Sequence, residues 1–153
     1  MSVKRKDVWK WCSRYIRLRD AIAWCKERGV DIAEFAAPKD LPVACCSCGQ
    51  VRSSSVLGVA GHFISRGIGG ASGVYFDERN IHFQCKGCNA FKQGNAAGYR
   101  QFMLDKYGQK VIDELEFMDR TNRYTQMDLY ALHAYYKTEY EKLASQVDCG
   151  GVK

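Results

Sequence analysis

Apolar residues recur at three- and four-residue steps near the start of the chain. Between positions 7 and 28 this stripe consists of Val8, Trp11, Cys12, Tyr15, Leu18, Ile22 and Cys25. The spacing places these side chains on one face of an α-helix, and Gly29 is a suitable residue to end it. We therefore predict a helix over 7–28 whose apolar face, with its two thiols, packs into the core.

The middle of the chain changes to the shorter period of β-structure. Residues 31–44 contain both prolines and predict a connector. Residues 56–63 predict a short strand, residues 66–73 a glycine-rich loop, and residues 75–84 a second strand. Helical patterns return over 86–93, 97–107, 109–118 and 126–145. The chain of 153 residues has the size of one domain, and the order of elements predicts a mainly helical α+β fold.

Charge is distributed unevenly along the chain, whose net charge is +6. Residues 1–30 carry nine basic and three acidic side chains, and residues 79–110 carry six basic and one acidic. Residues 111–148 carry four basic and eight acidic side chains. This pattern favours a polyanionic partner on one side of the molecule, with solvated helix faces as the alternative. Since no apolar run suits a membrane span or a secretory signal, we expect a soluble, cytoplasmic protein without a membrane partner.

Eight cysteines are many for an intracellular chain, and they favour a metal site over disulfides. Cys45-x-x-Cys48 and Cys85-x-x-Cys88 are two motifs from which paired thiolates can reach one metal. Together they complete a tetrahedral, closed site, which predicts one structural zinc ion per chain. A redox pair is the alternative, although it would not require two motifs. Cys46 is the rival of Cys45, but it leaves only one residue between the thiolates.

The 36 residues between the two motifs carry two of the three histidines. His62 ends the first predicted strand, Asn80 opens the core of the second, and Asn89 directly follows the last motif cysteine. Cleavage of a phosphodiester needs a base near neutral pH and a cation that offsets phosphate charge. A histidine supplies the base, an asparagine oxygen can ligate a hard cation, and the amine of Lys92 could stabilise the phosphate. The alternatives are that His62 is a core histidine and that Asn89 caps a helix.

This order of His, Asn and Asn around a strand–strand–helix unit resembles the HNH, or ββα-metal, nucleases. The resemblance implies that His62 activates a water molecule and that Asn80 orients the loop bearing it. It also implies that Asn89 binds a catalytic divalent cation, Mg²⁺ or Mn²⁺. The implied fold is a zinc-stapled ββα-metal (HNH) core over residues 45–95. An N-terminal basic helix (1–30) and C-terminal helices (97–145) flank this core within a single domain that spans 1–153.

Longer stretches are similar to the lambdoid phage NinG (Rap) family of recombination nucleases. They are AGHF at 60–63, FDERNIHFQC at 76–85, CN at 88–89 and KQGN at 92–95. The similarity covers roughly residues 40–118. It implies a structure-selective endonuclease that cuts branched DNA, such as Holliday junctions or D-loops, during phage recombination in the host cytoplasm.

One position departs from this family. Chains of the NinG type can carry an aspartate three residues before the histidine, where this chain has Val59. One cation ligand is therefore missing. We expect His82 as its substitute, because strand alternation places it on the face of Asn80, with Asp77 and Glu78 as weaker candidates. The alternative for His82 is a hydrogen bond that supports the zinc motif.

A set of polar and basic side chains is predicted to contact DNA phosphates without reading base sequence. The set consists of Arg14, Arg17, Arg66, Lys86, Lys92, Asn95 and Arg100. A non-catalytic, zinc-stabilised DNA-binding module with an eroded HNH site is the rival hypothesis, and Val59 favours it. A zinc module that binds only protein is a third, which the basic first helix argues against. The acidic, tyrosine-rich last helix is a candidate surface for a homodimer, whose two-fold symmetry would suit the cutting of two symmetric strands.

Overall fold

The computed structural model describes residues 2–91 and 95–148, except for the side chains of residues 91 and 148. The α-helices of these residues are α1 (Arg5–Glu27), α2 (Ala96–Tyr107), α3 (Gln109–Thr121) and α4 (Gln126–Asp148). The strands are β1 (Val43–Ala44), β2 (Val51–Arg52), β3 (Gly58–His62) and β4 (Ile81–Cys85). They form two antiparallel hairpins, β1 with β2 and β3 with β4. None of the described helices has the length and apolar character that crossing a bilayer requires.

The mixed, mainly helical fold agrees with the sequence prediction, but the second predicted strand is too long. Residues 75–84 were expected to be extended, whereas β4 begins only at Ile81. The reason is local. The carboxylate of Asp77 accepts a hydrogen bond from the backbone N–H of Arg79 at 3.0 Å, which closes a helical turn ahead of the strand. The connection between β3 and β4 is therefore longer than the sequence pattern suggests.

The helix predicted over 86–93 also differs from the structure. A single π-helical turn, Gly87–Phe91, follows β4, and α2 begins at Ala96. Residues 92–94 lie outside the described part of the chain. The cysteine motif therefore leads into a tight turn and not directly into a long helix.

The first helix packs against both α4 and the β3–β4 hairpin. One part of its apolar face, which includes Cys12, contacts Ile81 of β4 and Tyr136 of α4. A second part, which includes Cys25, packs with Phe83 of β4. Both thiols are fully buried. The β3–β4 hairpin thus packs on the apolar stripe of α1.

Two charged residues of α1 fasten this hairpin through its backbone. Arg19 donates from Nη1 to the carbonyl oxygen of Glu78 at 3.0 Å and from Nη2 to that of Ile81 at 2.8 Å. Asp20 accepts from Nε of Arg19 at 2.9 Å and from the backbone N–H of Phe83 at 2.7 Å. These hydrogen bonds from α1 occupy the outer backbone edge of β4. The free edge of the hairpin is therefore that of β3, which faces an open groove.

The second helix approaches the first cysteine motif closely. A Cβ atom built on Gly98 would overlap the backbone carbonyl oxygen of Ser47, nearer than any side chain permits. Glycine at this position therefore lets α2 rest on the motif. Behind it, Tyr99 and Met103 are fully buried against Leu115 of α3, which fixes the helix in place.

We expect Gly98→Ala to destabilise the protein by about 1–3 kcal/mol, although alanine normally favours a helix interior. The added methyl group meets backbone, so the helix and the motif must separate. The measurement is urea denaturation, with Ala97→Ser as the control because residue 97 is exposed. Equal midpoints for the two variants would contradict the close approach.

Candidate metal centre and catalytic groove

Four cysteine thiols converge at the end of the β3–β4 hairpin where β4 ends. The Sγ atoms of Cys45, Cys48, Cys85 and Cys88 all lie within 4.8 Å of one another, and those of Cys48 and Cys85 are 3.9 Å apart. The backbone N–H of Cys88 donates to Sγ of Cys85 at 3.5 Å. Four thiolates at this separation can surround one ion in the tetrahedral arrangement that zinc prefers, so the cluster fits a metal such as zinc.

The rival ligand, Cys46, faces elsewhere. Its backbone N–H donates to the carbonyl oxygen of Phe83 at 2.9 Å, and its Sγ lies 3.7 Å from the hydroxyl of Ser47. Its side chain packs with the apolar cluster of α2 and α3. The structure therefore brings Cys45 into the cluster and places the adjacent thiol outside it.

A groove of about 920 Å³ runs along β3 and contains the predicted histidine. Its floor is the strand itself, from Gly58 to His62. Three residues of α1 and four of the following loop form its walls, and Asn89 of the turn after the second cysteine motif completes it. The wall residues are Trp9, Ser13, Arg17, Ser65, Arg66, Gly67 and Ile68. His62 and Asn89 thus line one groove.

His62 is half-buried and held by one strong contact. Its Nε2 lies 2.9 Å from the carbonyl oxygen of Tyr75. A carbonyl can only accept, so Nε2 carries the hydrogen and Nδ1 is the unprotonated nitrogen of the neutral ring. Burial lowers the pKa of His62 to about 4, the Tyr75 carbonyl opposes this change, and the positive charge of Arg66 adds to it. The imidazole is therefore neutral near pH 7.

The segment after His62 is tied down by Asn80, which is fully buried. Its Oδ1 accepts from the backbone N–H of Ile64 at 2.8 Å. Its Nδ2 donates to the carbonyl oxygens of Ile64 at 3.0 Å and Val74 at 3.2 Å. A backbone hydrogen bond at the end of the β3–β4 pairing also joins the two segments, because the N–H of Phe63 donates to the carbonyl oxygen of Asn80 at 2.9 Å. The amide therefore holds both ends of the loop that His62 begins.

We expect Asn80→Ala to lower the free energy of unfolding by about 3 kcal/mol, since it leaves buried backbone groups of residues 64 and 74 without their partner. Chemical denaturation measures this loss. Asn89→Ala is the control, because Asn89 is exposed and its truncation should change stability by less than about 0.5 kcal/mol. A stability loss no larger at Asn80 than at Asn89 would show that the loop does not depend on the amide.

His82 does not reach the groove, which corrects its expected place as a substitute cation ligand. It is fully buried, with Nδ1 3.3 Å from the hydroxyl of Tyr99 and Nε2 2.8 Å from that of Tyr107. Tyr99 gives its own hydrogen to the carbonyl oxygen of Gly61 at 2.7 Å, so it accepts from His82 while Tyr107 donates. Both ring nitrogens are therefore used, and burial lowers the pKa of this neutral histidine to about 3.

The weaker carboxylate candidates are also engaged elsewhere. Asp77 forms an ion pair with Arg79 at 3.0 Å, and Glu78 accepts from the hydroxyl of Tyr135 at 2.7 Å. Neither residue lines the groove. Among the described residues that do, there is no carboxylate. Within the described parts of the chain, no acidic side chain of the groove therefore takes the place of the aspartate that the resemblance leads us to expect at Val59.

The predicted DNA contacts fall in different places. Arg17 and Arg66 line the groove, and Arg14 lines a neighbouring hollow, where its guanidinium lies 5.4 Å from the centre of the Trp11 ring. Lys86 and Arg100 are exposed. Asn95 instead directly precedes α2 and donates from Nδ2 to Sγ of Cys88 at 3.4 Å, so it lies at the four-cysteine cluster. Lys92 lies outside the described residues.

Trp9, Ser13 and Tyr75 were missed as members of the site. Trp9 is not on the apolar stripe of α1, and Ser13 carries no charge. Tyr75 acts through its backbone carbonyl, which no sequence motif reports. Trp9, Ser13 and Arg17 follow one another at four-residue steps, which places them on one face of α1, and this spacing is the one signal that could have grouped them.

These features define a class: a mainly helical protein in which a cluster of four cysteines, able to hold one metal ion, clamps a β-hairpin beside a histidine-lined groove. Residues 2–146 match the model of the family described as "Bacteriophage Lambda NinG protein". The chain belongs to this family.

Individual relatives agree with the family model. The chain is 34% identical over 130 residues to "Protein ninG" of Escherichia phage 933W, covering 85% of this chain and 63% of that relative. It is 33% identical over 130 residues to the proteins of the same name from Salmonella phage P22 and Escherichia phage lambda, covering 62% of each. The chain thus spans less than two thirds of the length of these relatives. No solved structure matches it.

Proposed function

We propose that the protein is a metal-dependent endonuclease of the HNH type that cleaves branched DNA. The observation that carries this proposal is the state of His62. It is a neutral imidazole in an open groove, fixed through Nε2, with Nδ1 left as its basic nitrogen. A general base for phosphodiester hydrolysis needs this combination of orientation, access and protonation state.

In the proposed reaction, Nδ1 of His62 takes a proton from the water molecule that attacks phosphorus. The carbonyl of Tyr75 supports this step, because its hydrogen bond to Nε2–H stabilises the imidazolium that forms. Asn80 acts at a distance, since it sets the path of the loop that leaves His62. The remaining task of the groove is to hold the phosphate against this base.

Positive charge in the groove serves that task. Arg17 enters from α1 and Arg66 from the loop after β3, so the two guanidinium groups come from different elements. Charge-assisted hydrogen bonds from arginine suit phosphate oxygens and carry no information about base sequence. We infer that the groove holds the DNA backbone, in agreement with recognition of DNA shape.

The groove would hold a catalytic Mg²⁺ or Mn²⁺ through Asn89, whose amide oxygen is a suitable hard ligand. When bound, the ion would offset the negative charge of the phosphate and of the leaving oxygen. Since no carboxylate lines the described part of the groove, water and DNA phosphate oxygens would supply its other ligands. The free protein should therefore bind Mg²⁺ only weakly.

We assign structural zinc to the four-cysteine cluster. The cluster joins the first motif to the end of β4 and to the turn that carries Asn89, so the ion would fix the groove without taking part in the reaction. This arrangement corresponds to a closed site, in which all four positions are protein ligands.

Selectivity for branched DNA rests on the resemblance to recombination nucleases of this family. The test is a cleavage assay with zinc-loaded protein, in Mg²⁺ or Mn²⁺, on a four-way junction, a D-loop and a linear duplex of shared sequence. We expect incision of the branched substrates and little of the linear one. Equal cleavage of all three substrates would contradict selectivity for branched DNA but would still support nuclease activity.

The second candidate is a non-catalytic DNA-binding module that has lost part of its nuclease site. The observation that favours it is the absence of carboxylates among the described groove residues, with Val59 in place of an expected aspartate. It predicts salt-sensitive binding of the junction without product in either cation.

A further inference from the structure

The ring of His62 contacts two aromatic side chains that no motif connects. Trp9 of α1 stacks on it, with ring centroids 4.8 Å apart and an angle of 24° between the planes. Tyr75 meets the edge of the imidazole at 5.2 Å and 71°, and meets Trp9 at 5.8 Å and 88°. The three rings therefore form one unit assembled from α1, β3 and the loop that precedes β4.

We propose that Trp9 is a positioning residue for His62, forming with Tyr75 an aromatic bracket that fixes the plane of the imidazole. The stack sets the plane of the ring, and the hydrogen bond to the Tyr75 carbonyl sets its rotation within that plane. Together they present Nδ1 in one orientation. This inference rests on the proposed function only for the role of His62 as the base.

The bracket also accounts for the electrostatics of the ring. Trp9 covers one face and keeps water from it, and burial is the largest cause of the lowered pKa of His62. Three basic side chains lie near the bracket. Arg66 lies 4.9 Å from the Trp9 ring centre and 5.6 Å from that of Tyr75, Arg5 lies 5.7 Å from Tyr75, and Arg17 lines the groove. The apolar cover and the charge of Arg66 act in the same direction, against a protonated imidazole.

The consequence is that the active groove is completed by α1. From the sequence, this helix is predicted to pack into the core and to contact DNA, and the nuclease core is predicted over residues 45–95 alone. In the structure, its residue 9 packs on the proposed catalytic ring, and residues 13 and 17 line the same groove. Residues 45–95 alone therefore lack part of the site.

An NMR titration of His62 tests the bracket without reference to cleavage. In zinc-loaded Trp9→Ala, the pKa of His62 should rise from about 4 toward the value near 6.5 of model peptides. Trp9→Phe, which keeps an aromatic face, should retain most of the lowered value. Trp24→Ala is the matched control, since Trp24 lies on the same helix but contacts Arg28 and not His62. Trp9→Leu gives the same comparison should the alanine variant fail to fold.

The pH dependence of the cleavage rate is a second test of the proposed role of Trp9. Between pH 8 and pH 5.5, Trp9→Ala should lose roughly tenfold more activity than Trp24→Ala, because most of its His62 becomes protonated. A pKa of His62 that is unchanged in both Trp9→Ala and Trp9→Leu would overturn the proposal. An equal rise in Trp24→Ala would also overturn it. If the wild type cleaves nothing, the proposed nuclease fails, while the titration still decides whether the bracket exists.

Discussion

Replacing His62 by alanine is expected to lower the single-turnover rate of DNA cleavage by about 10²–10⁴-fold, the usual contribution of a general base. The binding of DNA should change little, because Arg17 and Arg66 remain in the groove. The rate should be measured on a junction at saturating protein, with zinc content confirmed for each sample. His133→Ala on α4 is the control, since His133 does not line the groove.

The cleavage activity of the wild type should depend on pH in a direction that the pKa of His62 determines. His62 must be neutral to act as a base, and its pKa is lowered to about 4. Activity should therefore persist through pH 6, where a solvated histidine would already be largely protonated, and should fall only as the pH approaches 4. A rate that is unaffected by His62→Ala would remove the proposed base.

Loss of the bound metal is expected to have the largest effect on stability. Apparent binding free energies of structural zinc are about 10–16 kcal/mol in zinc-finger peptides, whereas whole domains are stable by only about 5–15 kcal/mol. The four cysteines join the first motif to β4 and the following turn, so the hairpin should lose its fixed structure without the ion. A loss of even 5 kcal/mol would lower Tm by roughly 10–20 °C.

The chain contains its own matched control for this experiment. Cys45→Ser removes a member of the cluster, and Cys46→Ser removes the adjacent thiol that faces α2 and α3. We expect Cys45→Ser to lose zinc, amide dispersion and cleavage, and Cys46→Ser to retain one zinc per chain. Retention of zinc by Cys45→Ser together with its loss from Cys46→Ser would reassign the ligand. A metal-free protein that still cut DNA would show that the groove keeps its structure without zinc.

Local patterns in the sequence are enough to predict the first helix and the four-cysteine cluster. The period of α1 and the spacing of the cysteine motifs depend on neighbouring residues, and the structure agrees with both. Asn89 could be placed beside the groove because it directly follows Cys88. Such features are short-range, so one sequence is enough to predict them.

Contacts between distant segments could not be predicted in this way. Strand alternation predicted that His82 shares a face with Asn80, but Asn80 lies in the turn before β4 and all five residues of the strand are buried. The partners of His82 are Tyr99 and Tyr107 of α2, which only the tertiary fold brings near. Trp9 reaches His62 across more than fifty positions. Alternation gives the face of a strand, whereas the identity of what covers that face is a property of the whole fold.

We propose that the groove beside the cysteine-clamped hairpin hydrolyses DNA. The most direct measurement is the incision of an end-labelled four-way junction by the zinc-loaded wild-type protein in Mg²⁺ or Mn²⁺. Our account predicts shortened strands that form with the divalent cation and are absent from the His62→Ala reaction. A junction that is fully bound and remains intact with both cations would contradict it and support a DNA-binding module without catalysis.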